Sequence, residues 1–270
     1  MPLKIGLVGC GAIGTEIAKA IDSEEIDADL VAVCDHNPET AKELINGLQR
    51  KPVKAKLEDL VSLSDLVVEA ASQRAVPAIA RATLEKGKSL MIMSVGALAD
   101  LEFYKEVKKL AIEHGSKVYI PSGAISGLDG LKSASIGTIR KVTLTTTKNP
   151  SGLEGAPYIK ENNIDLMALT CARVIFEGTA AEAVKAFPAN VNVAATLCLA
   201  ARDGEVQVKI IADPNIKVNR HEILAEGDFG RITTLVENVP SPRNPKTSYL
   251  AALSAIATLR SIVEPLKIGT

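Results

Sequence analysis

Tryptophan is absent and aromatic residues make up only 3% of the chain, so there is little from which to build stacking platforms for sugars or bases. Neither sign of charge is in excess. A formal net charge of −1 removes the broad basic face that nucleic acid or an anionic membrane surface demands. No apolar run approaches the roughly 20 residues of a membrane span. The four cysteines, Cys10, Cys34, Cys171 and Cys198, form no CxxC pair, and each stands in an apolar run. They read as buried, reduced thiols, and no metal is expected. Leu3–Val8 reads as a strand leading into a glycine loop, not as the apolar segment of a secretory leader. These exclusions leave a cytoplasmic protein of small-molecule chemistry, with no nucleic acid and no membrane among its partners.

What is present is a hydrophobic content of 47%, enough for a substantial core, in a chain of 270 residues. The first part alternates short apolar strands with helical stretches: strands near Leu3–Val8, Leu30–Asp35, Leu66–Ala70, Ser89–Val95 and Lys117–Ile120, and helices near Thr15–Ile21, Pro38–Leu48, Val76–Glu85 and Leu101–Glu113. Such alternation predicts an α/β fold with a doubly wound parallel sheet of the Rossmann kind. Right-handed crossovers then set the ligand crevice at the C-terminal strand ends. From about residue 121 the pattern changes. Val142–Thr147 and Val206–Ala212 alternate apolar and polar residues, and His221–Ala225 and Ile232–Val236 look like further strands. This predicts a second α+β domain with a mixed or antiparallel sheet, one face covered and one wetter. Thr179-Ala180-Ala181-Glu182 fits a capping box, and Asn190 or Asn192 is placed to cap a helix running to Ala201. A last amphipathic helix begins near Ser248. The expected division is a dinucleotide-binding domain over 1–121, joined by the C-terminal helix segment 246–270, and a second domain over 122–245.

The sharpest motif is Gly9-Cys10-Gly11-Ala12-Ile13-Gly14, a GxGxxG that follows a strand and opens a helix. In that context Gly9 permits the tight turn, Gly11 lets backbone N–H groups approach a pyrophosphate, and Gly14 allows close packing of helix on strand. Asp35 ends the second strand about 20 residues further on, where an acid binds the adenosine ribose hydroxyls. An acid there repels a 2′-phosphate. The expected cofactor is therefore NAD or NADP, with NAD favoured, although His36 next to Asp35 stands ready to soften that preference. Ser72 and Gln73, and Ser94 to Gly96, follow the third and fourth long strands, where the nicotinamide half should lie.

Hydride transfer from a substrate also needs a proton acceptor and donors that hold the substrate in place. Histidine suits the first role, since its pKa lies near neutrality. There are three. His36 belongs to the adenosine end, and His114 in Glu113-His114-Gly115 reads as a helix C-terminus. His221, at a strand start in the second domain, is either catalytic or a surface strand residue on composition alone. Lys246, Thr247 and Ser248, read as a helix N-terminus, are candidates for holding an anionic group of the substrate.

Several stretches taken together are more specific than the glycine loop: Ser122-Gly123-Ala124-Ile125-Ser126-Gly127-Leu128-Asp129, Asn190-Val191-Asn192-Val193-Ala194, Ala212-Asp213-Pro214 leading to Asn219-Arg220-His221-Glu222, and Asn244-Pro245-Lys246-Thr247-Ser248. In this order, along essentially the whole chain, they resemble the L-aspartate dehydrogenase family. The resemblance implies NAD(P)-dependent conversion of L-aspartate to iminoaspartate, which hydrolyses to oxaloacetate and ammonia, and the reverse amination. The imine would feed quinolinate and NAD biosynthesis. It also implies that His221 is the active-site histidine, that Ala124 and Asn190 contact the cofactor, that the final helix returns to the first domain, and that the mixed sheet of the middle segment serves a homodimer.

Two other readings are weighed beside it. Another two-domain dehydrogenase, acting on a semialdehyde, a homoserine-like alcohol or a cyclic imine, is the nearer. Its thioester form needs a nucleophilic cysteine, and Cys171 and Cys198 both read as buried helix residues. A non-catalytic NAD-sensing regulator is the other, and the chain offers no basic DNA-reading helix for it.

Overall fold

The computed structural model of the chain describes residues 2–188, 191–202, 204–241 and 244–269, with backbone alone at 244–246. It divides into two compact units, the first built from Met1–Gly123 and Ala251–Ile268, the second from Ala124–Leu250 and the last two residues.

The first unit begins with β1 (Leu3–Val8), α1 (Ala12–Asp22) and β2 (Ala28–Cys34), then α2 (Pro38–Gly47), β3 (Val53–Lys54), α3 (Leu57–Leu63) and β4 (Leu66–Glu69). It continues with α4 (Val76–Leu84), β5 (Ser89–Ile92), a 3₁₀ turn at Val95–Ala99, α5 (Leu101–Glu113) and β6 (Val118–Tyr119). The six strands form one sheet in the order β3-β2-β1-β4-β5-β6. Each recorded pairing is parallel. The order reverses between β1 and β4, and that switch point opens the crevice in which doubly wound sheets bind ligands. Strand β3 and helix α3 are not visible in the sequence pattern: β3 is two exposed residues, and α3 is a single short amphipathic stretch. The stretch Ser89–Val95, read as one strand, breaks at Ile92, and Val95 instead opens the 3₁₀ turn. His114 is the C-cap of α5, followed by Gly115 at φ +64°, which is the helix-terminating role its sequence context suggested.

The second unit comprises α6 (Leu128–Ala134), β7 (Ile139–Lys148), a 3₁₀ turn at Pro150–Gly152, α7 (Pro157–Glu161), β8 (Arg173–Thr179) and α8 (Ala180–Ala186). After these come α9 (Asn192–Ala201), β9 (Val206–Ala212), β10 (Asn219–Gly227), β11 (Gly230–Asn238), β12 (Pro240–Ser241) and β13 (Asn244–Ser248). Five strands make a mixed sheet in the order β11-β10-β7-β9-β8. Only β7 and β9 run parallel within it. Alternation is strict: β9 and β10 show every second residue buried. The inner face carries Val142, Leu144, Val208, Ile210, Ile223 and Ala225 into a core shared with α6, α8 and α9. The capping box at Thr179 and Glu182 is present in full. Helix α9 has Val191 at its N-cap with no side-chain cap, so Asn192 lies inside the helix instead of capping it, and Asn190 lies outside the described residues.

The final helix, α10 (Tyr249–Val263), places Ala255 and Leu259, both fully buried, in the core of the first unit. The helix starts at Tyr249, beside the expected Ser248. Residues 244–248 pair with β12 as a hairpin, Pro240 opposite Ser248 and Ser241 opposite Asn244, so Lys246 and Thr247 lie in a strand that Ser248 ends directly before the helix. The stretch 246–250 accordingly belongs to the second unit. The helix-terminus argument for a carboxylate site is thereby narrowed to Ser248, the residue before α10.

Candidate active site

The first unit supplies a nucleotide cradle at the switch point. Gly9 sits at φ +100°, and a Cβ there would collide with the backbone carbonyl of Ala70 at the end of β4. A Cβ on Gly14 would collide with the Gly9 carbonyl, so the first turn of α1 packs directly on the loop. Gly11 is different: a Cβ there meets nothing within 4 Å. Internal packing therefore accounts for glycine at 9 and 14 but not at 11, where the missing side chain instead keeps the outer face of the loop clear. Gly11 is also the N-cap of α1, no side chain caps that helix, and no acid lies in its first turn. Such a terminus suits a pyrophosphate. Ala12 and Ile13 form this turn, and Cys10 is 3% exposed.

Asp35 follows β2 directly. One carboxylate oxygen accepts from the Cys10 N–H at 2.7 Å, and the other accepts from the Asn37 N–H at 2.8 Å. The acid is thereby tied to the glycine loop itself. His36 Nδ1 lies 3.0 Å from Asp35, but its side chain is 97% exposed, a solvated loop residue. The residues present fit a dinucleotide: a side-chain-free helix terminus for the phosphates and an oriented carboxylate for the ribose diol.

One member of this crevice escaped the sequence reading. Glu69, the last residue of β4, is fully buried. Its Oε1 accepts from the Ala71 N–H and the Ser94 hydroxyl, both at 2.8 Å, and its Oε2 accepts from the Ser94 N–H at 2.9 Å. Burial raises its pKa, against the opposing pull of the Ser94 and Ala71 hydrogen bonds. Glu69 thus clips the segments after β4 and β5 together. The Ser94 hydroxyl, expected to face the nicotinamide half, donates to this carboxyl.

The second unit holds a polar cluster at one end of an otherwise apolar sheet face. His221 on β10 is 4% exposed and stands opposite Thr146 of β7 in the antiparallel register. The Thr146 Oγ1 lies 3.0 Å from His221 Nδ1. The surface-strand alternative for His221 is thereby removed. Lys148, at the end of β7, is also buried. Burial lowers its pKa to about 8. His221 is pushed down to about 3, first by burial and then by the positive charge of Lys148, so its imidazole is neutral at physiological pH. Ala124 lies at the first residue of this unit, where its carbonyl accepts from Asn238 Nδ2 at 2.8 Å.

The thiols divide by burial. Cys10 is buried and its pKa is pushed up to about 12 by desolvation, then by Asp35 and Cys34. Cys198 lies half-buried on α9, and burial raises its pKa too. Cys171 is exposed, outside any helix, in the irregular stretch before β8, which corrects its reading as a buried helix residue.

Comparison with known proteins places these features in context. Residues 9–121 match the family described as homoserine dehydrogenase, NAD binding domain, and residues 129–262 match that described as aspartate dehydrogenase, C-terminal. The chain is 56% identical over 270 residues to a protein named L-aspartate dehydrogenase from Methanosarcina mazei, covering 99% of this chain and 100% of that one. It is 54% identical, with the same coverage, to the protein of that name from Methanosarcina acetivorans. Among solved structures, aspartate dehydrogenase from Thermotoga maritima superposes with a TM-score of 0.76 at 26% identity, over 100% of both chains.

Proposed function

The chain belongs to the L-aspartate dehydrogenase family, and on that premise we propose that it oxidises L-aspartate to iminoaspartate with NAD(P) as hydride acceptor. One observation carries the catalytic assignment: a buried, neutral imidazole at position 221, held from Nδ1 by Thr146. With Nδ1–H donating to the Thr146 hydroxyl, the Nε2 lone pair is left to accept a proton. His221 takes one proton from the substrate ammonium, and the Cα hydrogen leaves with its electron pair, giving a C=N bond. Bound nicotinamide supplies the acceptor for that hydride. Water adding to the imine then releases oxaloacetate and ammonia, His221 acting as acid and base in turn.

In this reading Gly9 to Gly14 hold the pyrophosphate, Asp35 takes the ribose hydroxyls and favours NAD over NADP, and Ala124 and Asn190 contact the cofactor. The domains divide the work, the first holding the nucleotide and the second the substrate. We further infer a cytoplasmic homodimer supplying iminoaspartate to NAD biosynthesis. The outward face of the mixed sheet presents Leu224, Leu235 and Ile211 among threonines and charged residues such as Arg220, Glu222, Arg231 and Glu237, with Leu235 50% exposed, and this mixed apolar and charged surface supports self-association.

The test is direct. Wild-type protein given L-aspartate and NAD should generate NADH absorbance, and His221→Ala should lower kcat by about 10²–10⁴ while binding NADH as the wild type does. Near-normal turnover in the variant would remove His221 from the chemistry.

A further inference from the structure

The polar cluster in the second unit extends beyond the histidine. The register that sets Arg220 opposite Thr147 brings Asn219 opposite Lys148 one residue further along, and Asn219 is paired with Asn238 on the other side. Lys148, Asn219 and Asn238 therefore form a continuous row across β7, β10 and β11. It lies one side-chain repeat along from the Thr146–His221 pair and on the same face. Neighbouring strands lie about 4.8 Å apart and successive same-face residues about 6.7 Å apart, so all five side chains project from one patch of this face. All five are buried. Elsewhere this face is largely Val, Leu, Ile and Ala, with Thr234 of β11 opposite Ile223, and nothing about the packing of a mixed sheet asks for a lysine and two asparagines there.

Two atoms in the row lack protein partners. Asn219 Nδ2 is a buried donor and Asn238 Oδ1 a buried acceptor, and neither makes a hydrogen bond among the described residues. The orientation of Asn238 is set by its other end, since its Nδ2 donates to the Ala124 carbonyl, which leaves Oδ1 directed elsewhere. An unsatisfied buried amide atom costs about 1–3 kcal/mol, and a pair in one row is a cost that a ligand of matching polarity removes.

We propose that Lys148 and Asn219 form the subsite for a substrate carboxylate, with Asn238 Oδ1 receiving the substrate ammonium, so that this row orients the amino acid beside His221. The proposal rests on the dehydrogenase reading and names the residues that recognise its substrate. The chemistry is complementary: a cation and an N–H donor face an anion, and a bare amide oxygen faces the ammonium. The Lys148 stem runs past Gly152, where even an added Cβ would meet it only at ordinary van der Waals distance. Arg220 and Glu222 fall on the alternate positions of β10 and are half-buried at most, so Lys148 is the cation of this inner row. The arrangement also bears on His221. Burial is the main cause of the low His221 pKa, and a carboxylate set against Lys148 cancels the smaller contribution of its positive charge, which makes His221 a somewhat stronger base.

The experiment titrates succinate, a dicarboxylate without an amine, into the full-length protein saturated with NADH, and follows binding by calorimetry. Wild type should bind it. Lys148→Met should raise the dissociation constant roughly 30-fold or more, and Asn219→Asp, which puts an anion in the row at constant shape, should do the same. NADH affinity should stay at the wild-type value in both. Asn238→Leu should leave succinate affinity within about twofold and raise the KM for L-aspartate. Wild-type succinate affinity in Lys148→Met and Asn219→Asp would overturn the subsite, even with aspartate turnover intact. A wild-type protein inert toward aspartate would overturn the dehydrogenase reading, and the titration would still decide whether the row binds carboxylates.

Discussion

Thr146 and His221 face each other across an antiparallel ladder, hydroxyl to Nδ1 at 3.0 Å, with both side chains buried. The pairing fixes which ring nitrogen is occupied. Thr146→Val keeps the shape and removes the hydroxyl. Turnover should fall roughly five- to tenfold, about the worth of one net hydrogen bond, with cofactor affinity unchanged. Nitrogen NMR of labelled histidine should show the tautomer balance shifting, and Thr146→Ser should restore both. An unaltered tautomer signal in Thr146→Val would show that the hydroxyl does not set the ring.

Burial of His221 leaves a mark on acid stability. Unfolded, its imidazole titrates near 6.5; folded, near 3. Between those values the unfolded chain holds a proton that the folded chain does not, so stability falls as pH drops through that window, at up to about 1.4 kcal/mol per pH unit. His221→Asn should flatten the slope between pH 6 and pH 4 by up to that amount in denaturant titrations. Lys148 acts at the other end. Its folded value of about 8 lies below its unfolded 10.5, so it adds stability as pH rises from 8 towards 10.5.

Gly14 and Gly11 should separate in one pair of measurements. Gly14→Ala forces its new methyl against the Gly9 carbonyl and should destabilise by about 1–3 kcal/mol. Gly11→Ala meets nothing inside the protein and should melt like the wild type, yet its dissociation constant for NADH should rise at least tenfold. Equal NADH affinity in Gly11→Ala would mean that the loop does not approach the phosphates.

Asp35→Ser should move cofactor preference toward NADP, because it removes the charge that opposes a 2′-phosphate. It also removes the carboxylate that accepts from Cys10 N–H, so kcat/KM for NAD should fall more than kcat/KM for NADP rises. An unchanged ratio of the two would take Asp35 out of the ribose role.

Cys171 is the exposed thiol and should be the first to react with a maleimide. Mass spectrometry should find one adduct there with full activity retained. Loss of activity in step with that modification would revive thioester chemistry.

Much of this was readable in the order of residues, and what was not has a common cause. Gly9–Gly14 and Asp35 lie within one βαβ unit, where local pattern and function coincide. Glu69 sits in a run of Leu and Val and gives no local signal. Its meaning comes from Ser94, 25 residues on, which reaches it only once β4 and β5 pair. Lys148 lies one residue past the strand that alternation suggests, and only the pairing of β7 with β9 and β10 buries it. Lys246 and Thr247 show the opposite case. Their polar composition beside Ser248 favours a helix start, but the hairpin with β12 claims them, and the helix begins only after Ser248. Asn219 differs again: its place beside His221 in the sequence was visible, whereas its unsatisfied Nδ2 depends on the whole sheet.

The first unit is closed by the last long helix of the chain, with Ala255 and Leu259 fully inside its core. A ribosome making this protein therefore finishes the nucleotide domain only after the entire intervening domain has been synthesised. During that interval the sheet waits with an apolar patch uncovered, and the second domain is free to fold first. Contacts that bridge nearly the full length of a polypeptide form slowly. Early truncation or stalled translation thus leaves incomplete the core that lies behind the distant glycine loop, since Ala255 and Leu259 share a cluster with Ile5, Leu7 and Cys10.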